Sequence, residues 1–400
     1  MRRIYLDHNA TTPLAPEVFE AMKPYLTGAF GNASSIHSWG QEARAAVEDA
    51  RESVAALLHA EPGEIVFTSG GTESDNTALF GVAGAAGARL TSGKPHVVTT
   101  AIEHSAVLNA AQALERRGVL VTFVAPGPDG VIDPGDIERA ITPETVLISV
   151  MHVNNELGTL QPVEHIGRLA RERGIVFHTD AVQSVGKVPV DVRQVNAQLL
   201  SLSAHKLNGP KGVGALYWRK GTPCLPLLYG GHHERDRRPG TENVAGIVGL
   251  GKAAALALAR GQEEAARMAS LRDRLETNIL EAIPFSTVNG DRRRRVASTS
   301  SISLAFVDGE SFVIAADLLG LACSTGSACS SGSLEPSHVL SAIGKTRAEA
   351  RSTVRFSLGT TTTGEDIDDA LAIVSEVVER LRSLSPAYEE AASRQRSAVV

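Results

Sequence analysis

The 400-residue sequence is short of cysteine, with three, and of aromatic residues, at 4%. Cys224, Cys323 and Cys329 form no CxxC pair and are too few for a disulfide framework, which points to a reducing compartment and a cytoplasmic protein. There is no excess of basic charge. Lys and Arg number 39 against 45 Asp and Glu, so the net charge is −6 and the pI about 6.1. That balance argues against a nucleic-acid or membrane-surface partner. No uninterrupted apolar run approaches the roughly 18 residues of a membrane helix. The N-terminus, MRRIYLDHNATT, reaches Asp7 and His8 before any apolar core of signal-peptide length. What is present is 43% hydrophobic residues, enough to bury one large core or two domains.

Strand-like runs alternate with helical patterns from about Gln41 to Tyr217, the pattern of a largely parallel α/β sheet with helices on both faces. An alanine-rich helical region, Val244–Ala282, leads to a second set of elements. It comprises a strand over Ser301–Phe306, a helix over Glu310–Leu319, a Gly/Ser-rich loop, a strand over Val354–Ser357 and a last helix over 364–383. The polar tail, residues 386–400, is expected to fray.

Three stretches of the first set suggest one chemistry. SAHKLNGPKGVG (Ser203–Gly214) sets Lys206 between an apolar run and a glycine-rich turn. An amine there can form a Schiff base if its surroundings let it lose its proton. Ser203 and His205 can donate hydrogen bonds, and Gly209, Gly212 and Gly214 let the backbone pass close to a ligand. GIVFHTDAVQ (Gly174–Gln183) ends a strand on Asp180, where ligands bind in α/β sheets. TSGGTESDN (Thr68–Asn76) leaves a strand and opens a helix, with Gly70 and Gly71 at the turn and Thr72 as candidate cap. Its free N–H groups make an anion site. A phosphate on that turn, a ring nitrogen on Asp180 and an aldehyde on Lys206 would span one pyridoxal phosphate. Taken singly, each has an ordinary alternative: a solvated loop lysine, a helix-capping aspartate, a capped βα turn.

Other candidates flank these. His104 closes a strand and could stack on a ring or move protons. Asn154 and Asn155 follow another strand, where amides suit a ring hydroxyl or a substrate carboxylate. GGHHERDRRPGTEN (Gly230–Asn243) reads as a solvated charged loop. Its His-His-Glu run invites a metal reading that lacks further well-spaced ligands. Arg355, inside a strand, should face a carboxylate, either of a substrate or of a structural ion pair. Cys329 lies in SACSSGS with no apolar side chain to bury it and is the nucleophile candidate, whereas Cys323 reads as buried and Cys224 as core filler. The run Arg292–Arg295 reads as a solvated loop, with docking of an acidic partner as the alternative.

Together TSGGTESDN, EHSAVL, VNNELGTLQPV, HTDAVQSVGK, SAHKLNGPKGVGALY, ERDRRPGTENV, STGSACSSGSLEPSHVL and VRFSLG resemble a cysteine desulfurase, over nearly the whole chain. The resemblance implies a homodimeric fold-type I pyridoxal phosphate enzyme of class-V aminotransferase type. Its large domain, residues 16–260, would hold a mostly parallel seven-stranded sheet. A smaller α/β domain would join residues 1–15 to 261–385. On matching motifs, Lys206 would be the Schiff-base lysine, Asp180 the ring-nitrogen partner, His104 the stacking ring and Gln183 the partner of the ring hydroxyl. Gly71, Thr72, Ser203 and His205 would hold the phosphate, with Thr241 reaching it from the other subunit. Gly71 stands where relatives often have alanine, an exchange expected to be harmless. Asn155 and Arg355 would hold the carboxylate of L-cysteine, and Lys206 would take its α-proton. Cys329 would receive the sulfur as a persulfide, release alanine and pass the sulfur to an acceptor protein such as an iron–sulfur scaffold. No intrinsic metal is implied, only Cys329 as a ligand to iron–sulfur cargo during transfer. A selenocysteine lyase, an aminotransferase of the same fold and a non-enzymatic sulfur carrier are the competing classes.

Overall fold

The apolar runs that alternate with helices between Ile65 and Trp218 assemble into one seven-stranded sheet in the computed structural model, which describes residues 2–87, 93–325 and 336–397. Across the sheet the order is Ile65–Thr68, Gly214–Trp218, Leu199–Ser203, Val176–Asp180, Thr145–Ser149, His96–Thr100 and Leu120–Val124. Only Gly214–Trp218 runs against its neighbours. The reason lies in the chain: ten residues without a long helix link it to Leu199–Ser203, so the connection is a hairpin and not a crossover. Lys206 sits in that hairpin turn. Gly214 is required there, since a Cβ on it would lie 2.7 Å from the Cα of Gly70.

Helices cover both faces. Ala78, Val82, Val107, Ala111 and Leu114, from Gly71–Gly87 and Ser105–Arg116, pack on one side. Ala43, Val47, Val54 and Leu58 of Ser38–Leu58 pack on the other, with Ile247, Leu250 and Ala254. The latter three belong to Val244–Ala282, a 39-residue helix with an 18-residue window of mean hydropathy 1.4, long and apolar enough to cross a membrane by composition alone. This qualifies the expectation from uninterrupted runs, because Lys252 only punctuates the apolar pattern. The helix is a core element whose first half packs on Ser38–Leu58.

A second sheet orders Ser324–Thr325, Thr353–Ser357, Thr299–Leu304 and Ser286–Val288, all antiparallel. Its core combines Phe312, Phe356, Ile302, Leu275 and Val374. The first residues of the chain are stitched to this set: Ile4–Tyr5 pairs with Leu321–Ala322, and Asp7 bridges Ser357.

Two expectations are corrected. The tail does not fray over its described part. Pro386–Ser397 is helical, and Tyr388 packs edge-on against Phe285 at 6.4 Å, under Arg382. Nor is Arg292–Arg295 a solvated loop throughout. Glu276, 1% exposed on the long helix, takes two hydrogen bonds from Arg295 and one from Arg292. A carboxylate buried that deeply needs cations to face it.

The charged loop after Gly230 is pinned as well. Glu234 holds Arg51 through paired 2.7 Å hydrogen bonds, both side chains being nearly buried, and accepts the Phe67 N–H at 2.9 Å. Glu234, Arg235 and Asp236 have φ of 48°, 58° and 64°. A left-handed residue that is not glycine costs about 1–2 kcal/mol, so this turn needs its anchor. Glu234→Ala should lower the unfolding free energy in urea by about 3–5 kcal/mol, the usual loss when one side of a buried pair is removed. A loss below about 1 kcal/mol would mean that the pair anchors nothing.

Candidate active site

A cavity of about 260 Å³ opens where five strand ends meet. It lies outside the carboxyl ends of the strands, where the loops of an α/β sheet diverge. Lys206, Asp180, His104, Gln183, Asn155, Arg355, Gly71, Thr72, Ser203 and His205, each singled out in the sequence, all line it. Thr241 does not. It is exposed on the loop before the long helix. Cys329 lies outside the described residues.

Lys206 ends a single 3₁₀ turn, Ala204–Lys206, and its Nζ donates to the carbonyl oxygens of Asn9 and, at 2.8 Å, of Ala10. Asp180 ends its strand, 5% exposed, with Oδ1 taking the Val182 N–H at 2.9 Å. Burial pushes its carboxyl up, while His104 and Lys206 pull it back down. Asp75, 1% exposed, is pushed higher by burial and by the charge of Asp180. Of the two acids, Asp180 is the one whose rise His104 and Lys206 oppose. His104 caps the helix Ser105–Arg116: its Nδ1 accepts the Ala106 N–H at 3.1 Å. The local hydrogen bond and the site role coexist, since the bond places the proton of the neutral ring on Nε2.

At the far end the helix Gly71–Gly87 presents its N-terminus beside Ser203. Thr72 lies inside the first turn, so it is not the cap; Glu73 instead reaches back to the Ser69 N–H at 2.8 Å. Gly71 is matched to this chain, because a Cβ there would meet Val182 Cγ2 at 2.7 Å. Alanine is therefore harmless only if Val182 moves. His205 bonds Thr11 at 3.1 Å, and burial lowers its ring pKa to about 4.

Arg355, 2% exposed, makes the structural ion pair, one of its two sequence alternatives. Nη2 bonds the Asp7 carboxylate at 2.9 Å and Nη1 the Asn155 carbonyl at 2.9 Å, while Nε is buried without a partner among the described residues. Asn154, paired with Asn155 in the sequence, is spent on its own loop: Oδ1 takes the N–H groups of Glu156 and Leu157. Cys323 is buried as expected, and burial pushes the Cys224 thiol up to about 12.

Asp7, Asn9, Asp75, Glu103 and Lys187 complete the surroundings and were not singled out by sequence. Asp7 and Asn9 sit in DHNATT, a polar segment beside no strand or helix pattern; only the fold brings it to the cavity. The donor set fits pyridoxal phosphate. It offers an amine for an aldehyde, a buried carboxylate for a ring nitrogen, an imidazole for a ring face and a helix N-terminus with a hydroxyl for a phosphate.

Fold and site thus define a fold-type I pyridoxal phosphate enzyme. The aminotransferase class-V family model matches residues 4–370. Cysteine desulfurase IscS of Dictyoglomus turgidum is 48% identical over 389 residues, 97% of this chain and 98% of the relative. Cysteine desulfurase IscS of Anaeromyxobacter dehalogenans is 50% identical over 390 residues, 96% and 95% respectively. Among solved structures, a NifS-like protein superposes with a TM-score of 0.88 at 36% identity, covering 94% of this chain and 99% of that one. SspA in complex with cysteine gives 0.79 at 40%, covering 89% and 98%. The chain belongs to the class-V aminotransferase family and, within it, to the pyridoxal phosphate-dependent cysteine desulfurases.

Glu103, fully buried below the cavity, takes hydrogen bonds on Oε1 from Thr100 at 2.7 Å and the Met151 N–H at 2.9 Å. Burial raises its carboxyl to about 8. A raised acid favours folding while protonated, so its contribution is complete below pH 4.5 and is lost as pH rises toward 8. Glu103→Gln keeps an acceptor for both donors. In denaturant titrations it should flatten that decline, which is at most about 1.4 kcal/mol per pH unit. Parallel wild-type and variant profiles between pH 5 and 8 would refute the assignment.

Proposed function

We propose that this chain works as a cytoplasmic homodimer that removes sulfur from L-cysteine and hands it to an acceptor protein for iron–sulfur cluster or thio-cofactor assembly. One observation carries the reading: an amine, a buried carboxylate, an imidazole, an amide and a guanidinium converge on one cavity beside a helix N-terminus. Residues 16–260 form the large domain in this reading, and residues 1–15 with 261–385 the small one.

When bound, pyridoxal phosphate supplies an aldehyde for the substrate amine and a protonated ring that stores electrons. Lys206 would hold the aldehyde, and its Nζ is the group that would take the substrate α-proton. Asp180 keeps the ring nitrogen protonated, His104 covers a ring face and Gln183 donates to the ring hydroxyl. Gly71, Thr72, Ser203 and His205 hold the phosphate, together with the partner subunit's Thr241. Asn155 and Arg355 take the substrate carboxylate. Arg355 offers Nε, a donor left unpaired among the described residues. The Cys329 thiolate attacks the substrate sulfur: an S–S bond forms on the enzyme, the C–S bond breaks, and its electron pair stays with the carbon that leaves, after protonation, as alanine. The persulfide sulfur then passes to the acceptor. Any metal would enter as cargo, with Cys329 a passing ligand.

Cys329→Ser should keep the visible cofactor band and its change on adding L-cysteine, form no persulfide by mass spectrometry and bring alanine release near background. Finding the added sulfur on Cys323 or Cys224 would overturn the assignment. Lys206→Ala should lose turnover. Asp180→Asn should slow alanine formation by well over tenfold, about 1.4 kcal/mol, because a neutral amide cannot hold the ring proton.

A further inference from the structure

Lys187 follows Gln183 by four residues in the tight turns between Val176–Asp180 and Leu199–Ser203, and no role falls to it above. Its Nζ donates to Gln183 Oε1 at 2.5 Å and to Asn9 Oδ1 at 3.2 Å. The charged side chains that press on it most are cations, Lys206 and Arg355, and the His8 ring lies near enough to feel its charge. An amine desolvated among cations is unfavourable, and burial lowers its pKa to about 7. It sits there on two amide oxygens, both from residues that line the cavity.

The chemistry of that contact is directional. In its ammonium form Lys187 only donates, so it turns the Gln183 oxygen toward itself and the NH₂ the other way. That NH₂ donates to the Asn9 carbonyl at 2.9 Å, on the side where Lys206 Nζ donates to the same oxygen. Without Lys187 only the Asn9 carbonyl would favour this orientation of the amide. We propose that Lys187 is a positioning residue: it fixes the Gln183 amide with its NH₂ toward the cofactor pocket, so that this side chain donates to, and never accepts from, the ring hydroxyl. The proposal rests on the assignment of Gln183 and Lys206 to the cofactor.

A donor on the ring oxygen stabilises its anionic form, and so makes it easier for the linkage at Lys206 to lose its proton. The pH midpoint of the visible band of the cofactor-loaded enzyme reads that proton. Lys187→Met should move the midpoint up by about one pH unit, the size one neutral hydrogen bond carries. Lys187→Arg, which keeps a donor, should restore most of the shift. Gln183→Ala should move the midpoint in the same direction, and the double variant should move it no further than Gln183→Ala alone. Should Lys187→Met fail to load cofactor, Lys187→Leu gives the same comparison with another side chain that cannot donate, and its midpoint should rise likewise.

An unmoved midpoint in Lys187→Met, with Gln183→Ala shifted, would overturn the positioning role and leave the cofactor assignment standing. Additive shifts in the double variant would overturn it too, since Lys187 would then act by charge alone. Gln183→Ala without any shift would overturn both.

Discussion

Asn9 is the constraint on which the cavity depends. Its backbone oxygen takes Lys206 and Gln183, its side-chain oxygen takes Lys187, and its Nδ2 donates to the Asn155 carbonyl at 3.1 Å and to Thr299 at 2.9 Å. Its own N–H donates to Ser357 Oγ at 2.9 Å. One residue therefore ties together a hairpin turn of the large sheet, the turn after its central strand, the loop after Ser149 and two strands of the small sheet. Each of those hydrogen bonds is worth only about 1 kcal/mol net, yet an unmade one in this buried setting would cost more. The arrangement holds as a set.

Charge is distributed around that hub with a consistent logic. Below the cavity lie three buried acids, Asp75, Glu103 and Asp180. Beside it lie the cations Lys206, Lys187 and Arg355. Burial raises the three carboxyls and lowers the Lys187 amine, and an opposite charge nearby works against that push. Arg355 has Asp7. Asp180 feels His104 and Lys206, whereas Asp75 and Glu103 feel Asp180, another acid. The result is three buried carboxyls in unlike surroundings, of which Asp180 alone has basic side chains drawing it back down.

How far the sequence alone reached follows from what kinds of residue it could describe. Lys206, Asp180 and His104 stand at strand ends, and a strand end is visible as the place where an apolar run stops; the alternation of runs and helices likewise revealed the parallel sheet. Asp7, Asn9 and Lys187 carry no such mark, since their meaning comes from a segment that crosses between two sheets. The Arg292–Arg295 run and Glu234 misled for a related reason. A charge in a glycine-rich loop looks solvated until a buried partner, here Glu276 or Arg51, arrives from a distant helix. Tyr388 shows the same effect in the tail, where two phenylalanines over 80 residues upstream supply the packing.

The route of the first dozen residues has a further consequence for how the site holds together. Leu6 and His8 exchange backbone hydrogen bonds with Ser357, and then Thr12 takes up the His205 carbonyl, one residue before Lys206. The segment is thus fixed to the small sheet at one end and to the lysine turn at the other. Loosening the small sheet would withdraw the carbonyls of Asn9 and Ala10 from Lys206 and the Asp7 carboxylate from Arg355 together. The Lys206 amine and the Arg355 guanidinium are therefore set by the same short stretch of backbone. Small displacements of one sheet against the other would reach both ends of the cavity at once.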